Sequence, residues 1–88
     1  MDEYLNADLV LSLKEAFNAL PDPRAENIVH PLINLIVIAL VATLGGANDY
    51  TEFEEFGESK KAWLSKFLDL ETGIPSHDTF GRLFAKLD

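Results

Sequence analysis

Apolar residues recur along this chain at the spacing of one helix face after another. Leu9, Leu13, Phe17 and Leu20, with Ala16, follow a 3.6-residue period while Asp8 and Glu15 face away, and Asn6 is placed to cap the start. A first helix is therefore predicted over residues 7 to 19. Pro21-Asp22-Pro23-Arg24 ends it, because each proline fixes its own φ, lacks an N–H and biases the residue before it away from the helical region. Pro31 suits the first turn of a second helix and Gly45-Gly46 a left-handed cap, which predicts a helix over residues 31 to 44. That stretch is apolar nearly all round, so it must be covered on most sides and is predicted to be the central helix.

Thr51 followed by Glu54 is a capping-box pattern, with Asp49 and Glu52 as an overlapping alternative, so a third helix is predicted to begin near residue 50 with Phe53 and Phe56 inward. Gly57 and Ser59 predict a break near 58. Trp63, Leu64, Phe67 and Leu68 rebuild an apolar stripe over about 60 to 70. Gly73 and Pro75 make the next turn, Ser76 is placed to cap with Thr79 three residues on, and Phe80, Leu83, Phe84 and Leu87 give the i, i+3, i+4, i+7 stripe of a last helix over 76 to 87.

The pattern is that of an all-α fold. It predicts a small bundle of four to five helices around the central apolar one, closed by a C-terminal helical hairpin of helix-turn-helix type. No repeat, low-complexity tract or long linker divides the chain, so residues 1–88 read as a single domain. A chain of 88 residues with 48% hydrophobic content buries roughly 60 to 65% of its unfolded surface around one core. The run Leu32 to Leu44 would span only about 20 Å as a helix, against about 30 Å of hydrocarbon, and the acidic N-terminus is unlike a signal peptide. No membrane partner is expected. The absence of cysteine rules out disulfides and thiolate metal sites and suits a reducing cytoplasm.

Charge changes the picture. The net charge is -8, but residues 1 to 58 carry eleven acids against Lys14 and Arg24, whereas residues 59 to 88 carry Lys60, Lys61, Lys66, Arg82 and Lys86 against four acids. A free-standing nucleic-acid binder needs a cationic face, so any polyanion contact is confined to the C-terminal third.

The acidic group Glu52, Glu54, Glu55 and Glu58 has helical neighbours at i+3 and i+4, yet the Glu-x-x-His pairs of a carboxylate metal bundle are missing and acids are favoured near a helix N-terminus in any case. His30 and His77 stand alone in sequence. No phosphate loop, nucleophile elbow or HExxH motif occurs, and Trp63 with its Phe neighbours reads as core rather than as a base-stacking platform. The expectation is no catalytic residue, cofactor or metal in this chain. The C-terminal hairpin is the exception: Ser76, His77, Thr79, Arg82 and Lys86 come from the first turn and one flank of the last helix, where a recognition helix puts its DNA contacts. Asp78 lies one turn before Arg82 and can pair with it instead.

Taken together, these segments resemble the N-terminal associated domain that precedes the catalytic domain in DDE transposases of the ISAs1 type, including the H-repeat-associated proteins. The resemblance rests on Phe17-x-x-Leu20-Pro21-Asp22-Pro23-Arg24, on Pro31-Leu32 opening an apolar helix that closes at Gly46-Ala47, and on Trp63-Leu64 followed by Gly73-Ile74-Pro75-Ser76-His77-Asp78-Thr79-Phe80 with Arg82, Phe84, Leu87 and Asp88. It implies a bacterial, cytoplasmic insertion-sequence transposase whose catalytic domain, absent here, would use three carboxylates on an RNase H-like fold to hold a divalent metal such as Mg. Asp22, Asp78 and Asp88 are not promoted to that role, since the first catalytic Asp would lie beyond residue 88. The chain ends abruptly after its last helix, where a catalytic domain is expected to follow.

Two functions are compatible with these residues. In the first, a non-catalytic module helps the full protein engage transposon-end DNA through the 60 to 87 hairpin. In the second, it is a structural module that packs against the catalytic domain or another subunit, a second copy included, using apolar surface from the second helix or the aromatic helices.

Overall fold

Five helices, α1 (Ala7–Phe17), α2 (Leu32–Leu44), α3 (Tyr50–Ser59), α4 (Lys61–Leu64) and α5 (His77–Lys86), form the regular structure of the computed structural model, which describes residues 6–24 and 28–87. Among the described residues there is no strand, and the fold is the all-α bundle expected. The acidic residues 1–5 and Asp88 of the terminal motif lie outside the described residues.

Asn6 caps α1 by accepting a hydrogen bond from the Leu9 N–H at 2.7 Å, which satisfies one of the helix's free donors. The buried face differs from the predicted stripe. Val10 is the fully buried residue, Leu13, Lys14 and Phe17 flank it, and Ala16 and Leu20 are exposed. The helix is rotated because Lys14 reaches across the core boundary and donates from Nζ to the Phe67 carbonyl at 2.8 Å, which draws that side of α1 inward.

α2 is the central helix. Nine of its residues, including Leu35, Val37, Ile38 and Val41, are buried, and it packs against both α1 and α3. Its end is a Schellman motif: the Ala47 N–H bonds to the Ala42 carbonyl and the Gly46 N–H to that of Thr43, each at 3.0 Å, around Gly46 at φ 100°. Only glycine takes that φ without strain. Asn34, the one polar residue buried in this core, donates from Nδ2 to the Asp69 carbonyl at 2.7 Å.

Asp49 caps α3, accepting from the Glu52 N–H at 2.8 Å, while the Glu52 carboxylate accepts from the Asn48 N–H. The overlapping alternative is thus the pair used, and Thr51 lies inside the helix. The break expected near 58 falls at Lys60, because Gly57 is helical and buried. A Cβ at Gly57 would stand 2.6 Å from Cγ2 of Ile74, so this glycine marks the close approach of the 70–76 segment rather than a helix stop.

The helix predicted over 60 to 70 is a single turn, α4, followed by turns. After Ser65 the backbone tightens, the Lys66 and Phe67 N–H groups bonding three residues back to the Trp63 and Leu64 carbonyls, and the carbonyls of Phe67 and Asp69 accept side-chain donors from afar, Lys14 and Asn34. Leu64, Leu68 and Leu70 are nevertheless buried, and Trp63 packs against the core with Phe67 at 5.1 Å between ring centroids. Because α4 is short, the helix that α5 packs against is α3. Phe53 meets Phe80 edge to face at 5.5 Å, and Tyr50 stacks on Phe84 at 6.0 Å, both within the favourable range for aromatic pairs.

Candidate functional site

α5 carries all of the candidate DNA-contact residues in its cap or on its body, and the structure divides them. Ser76 caps the helix by accepting from the Thr79 N–H at 3.3 Å, and its hydroxyl also meets the Thr79 hydroxyl at 3.1 Å. The next N–H, that of His77, donates at 2.7 Å to Oε1 of Glu54 from α3, and the His77 ring Nδ1 lies 2.8 Å from the same oxygen. The positive end of α5, where a phosphate would be favoured, is thus already occupied by a carboxylate of the same chain. Glu54 is held below its usual carboxylate range, chiefly by the hydrogen bond from the His77 ring. His77 is raised, first by that bond and then by the nearby Asp78 charge.

Arg82 and Lys86 remain. Both are exposed and stand one turn apart, and Arg82 donates weakly to the Thr79 hydroxyl at 3.4 Å. No ion pair between Arg82 and Asp78 forms among the described contacts, where Asp78 instead faces the His77 ring at 3.5 Å. Of the five candidates, then, Ser76, His77 and Thr79 serve the helix start, and Arg82 and Lys86 alone present charge to solvent.

Two of the acidic candidates and His30 have structural work. Glu52 and Glu54 are used at the starts of α3 and α5. His30 lies 3.2 Å from the Thr72 hydroxyl, and partial burial, followed by the Arg24 charge, lowers its pKa. In the DPR segment Asp22 accepts the Arg24 N–H at 2.9 Å and grips the guanidinium through both oxygens, at 2.9 and 2.7 Å. Asp22 thus satisfies a backbone N–H within its own turn, and the Arg24 side-chain hydrogen bond lowers its pKa. Among the described residues no group of three or more His, Cys, Asp or Glu could hold a metal ion. Among the same residues no helix is long and apolar enough to cross a membrane.

The most distinctive surface contains none of the five candidate contact residues, though it uses the apolar second helix and the aromatic helices. A groove of about 890 Å³ opens between α1, α2, α3 and α5, lined by twelve residues that include Phe17, Leu40, Phe53, Gly81, Phe84 and Ala85, and not one of the twelve is charged. The hydroxyl of Thr43, one of the few polar groups there, already donates to the Ala39 carbonyl at 2.7 Å. Leu20, Tyr50 and Leu87 stand on its rim at 39, 41 and 39% exposure. Its lining comes from four separate helices, so no local sequence signal announces it. A second, more open depression beside Glu58, Lys61, Asp69 and Glu71 mixes charges of both signs. The groove borders the Gly81 and Ala85 edge of α5, which lies about 100° around the helix from the Arg82 and Lys86 edge.

Comparison with known proteins adds lineage to this geometry. The chain matches the DDE_Tnp_1-associated family over residues 14–88. It is 48% identical over 77 residues to an uncharacterized protein in the dhlA 3' region of Xanthobacter autotrophicus, covering 85% of this chain and 26% of that protein. It is 35% identical over 75 residues to the inactive transposase YbfQ of Escherichia coli strain K12, covering 84% of this chain and 89% of YbfQ. The chain thus spans about a quarter of the Xanthobacter relative but most of YbfQ. No solved structure matches it.

Proposed function

We propose, from the premise that the chain belongs to the DDE_Tnp_1-associated family, that it is a non-catalytic module of a bacterial insertion-sequence DDE transposase that acts by packing against another part of that protein. The observation that carries this reading is the open groove without a charged residue in its lining. Apolar surface of that kind, rimmed by exposed Leu and Tyr, is stabilised by a protein partner and not by a polyanion. The name of YbfQ, a relative of which this stretch makes up nearly the whole and which is called inactive, agrees with placing the chemistry elsewhere. On this reading the catalytic carboxylates and their divalent metal belong to a separate domain, and the protein works in the bacterial cytoplasm.

Contact with transposon-end DNA is a second reading, favoured by the exposed Arg82 and Lys86 edge. It is narrower than the sequence suggests, because the start of α5 is closed by Glu54. The two readings are compatible, since the basic edge and the groove lie on different sides of α5.

Deleting residues 1–88 from the full-length transposase tests the main reading. The expected result is loss of strand transfer from a catalytic domain that still folds by circular dichroism. Undiminished strand transfer would sink it.

A further inference from the structure

Resting on that reading, we propose that the groove is the seat of an amphipathic helix belonging to the same polypeptide in the longer proteins that carry this module. The lining sets the chemistry of the occupant. With no charge to pair, the groove selects a segment presenting apolar side chains at i, i+3, i+4 and i+7. The exposed, small Ala85 keeps the α5 wall low, which lets a helix backbone approach closely there, while the Tyr50 ring packs over Gly81.

The size of the groove decides between a tethered occupant and a free one. Stable interfaces between separate proteins use about 20 to 30 residues a side, and this one offers twelve. A second copy would also bring up another body of net charge -8. A tethered segment avoids both costs, because linkage supplies an effective concentration on the order of millimolar. The position of Leu87 agrees. It is part of the groove wall and follows the last turn of α5, so a polypeptide continuing from α5 starts at the groove without needing a spanning linker. In the Xanthobacter relative the matched stretch is 26% of the protein, which leaves ample chain to supply the helix.

Photo-crosslinking from benzoylphenylalanine at Ala85 in the full-length transposase, followed by peptide mapping, tests the proposal. The expected product is an intramolecular crosslink to residues outside 1–88. Crosslinks that join two copies, or that stay within residues 1–88, overturn it. Leu20→Glu and Ala85→Glu give an independent measure, since both positions are exposed and the 88-residue chain should keep its melting temperature within a few degrees. In the full-length protein they should speed protease cleavage between the module and the remainder at least fivefold, and an unchanged rate overturns the proposal. Failure of the underlying reading shows separately, as strand transfer that survives deletion of the module.

Discussion

Glu54 on α3 receives both the backbone N–H and the ring Nδ1 of His77 on one carboxylate oxygen, at 2.7 and 2.8 Å. A carboxylate only accepts, so Nδ1 carries the proton, and a single side chain both closes the positive end of α5 and ties α5 to α3.

This clamp gives stability a pH signature. The folded chain holds the His77 proton more tightly than the unfolded chain does, so that contribution is complete below about pH 6.5 and fades as pH rises through the raised value. Glu54 is shifted down, so its contribution is complete above about pH 4.3 and is lost as pH falls through the lowered value. Thermal melts of the wild type and His77→Gln across pH 4 to 9 should differ most between about pH 4.5 and 6.5 and converge on the alkaline side. A difference independent of pH would show that the charge on the ring plays no part. His30, whose pKa is lowered, acts in the opposite sense and is common to both proteins, so it cancels in the comparison.

Gly57→Ala sets helix propensity against space. Propensity alone favours Ala by about 1 kcal/mol, but the new Cβ would meet Ile74 Cγ2 at 2.6 Å, an overlap that costs typically 1 to 3 kcal/mol. Urea denaturation should show net destabilisation of about 1 kcal/mol, the difference of those two effects. Ile74→Ala in the same chain should remove most of that penalty, which a double-mutant cycle measures.

These two contacts show what could and could not be read from the sequence. The caps at Asn6 and Ser76 and the glycine end of α2 are legible because each depends on residues within five positions. Gly57 was misread as a breaker because the atom it makes room for is seventeen residues away. The stretch from 60 to 70 has a helical stripe but not a long helix: its backbone tightens to three-residue turns after Ser65, and Lys14 and Asn34 tie its later carbonyls to the rest of the fold. Arg82 and Lys86 are exposed on one flank of α5, while the engagement of His77 by Glu54 and the groove shared by four helices both depend on tertiary neighbours.

Asn34→Ala should destabilise the chain by about 1 to 3 kcal/mol in urea titration, because it leaves the Asp69 carbonyl without its donor and opens space beside the core. Asn34→Leu, which fills the space but cannot donate, separates the two effects: recovery of most of the loss would mean that the hydrogen bond matters little.

The cap of α3 is a choice between two overlapping patterns, and the structure assigns it to Asp49. Asp49→Ala should cost about 1 kcal/mol, and Thr51→Ala, inside the first turn, no more than about 0.5 kcal/mol. Equal losses in thermal melts would return the cap to Thr51.

If the basic edge of α5 touches transposon ends, Arg82→Ala and Lys86→Ala in the full-length protein should each reduce the slope of log affinity against log salt by about 1. Neither should change the stability of the 88-residue chain by more than about 0.5 kcal/mol, because both side chains are exposed. An unchanged slope would remove this edge from the DNA-binding surface.

Val10, wholly enclosed in the core, has a consequence for what can be inherited as a unit. The family match begins at residue 14, yet the residue that α1 seats most deeply, and the Asn6 that starts its helix, both precede that point. A gene fusion or excision that respected the match boundary would separate the wedge from its socket and leave α2 uncovered along one side. The smallest segment that recombination can move between proteins as a working fold therefore begins no later than Asn6, even where sequence similarity fades before reaching it.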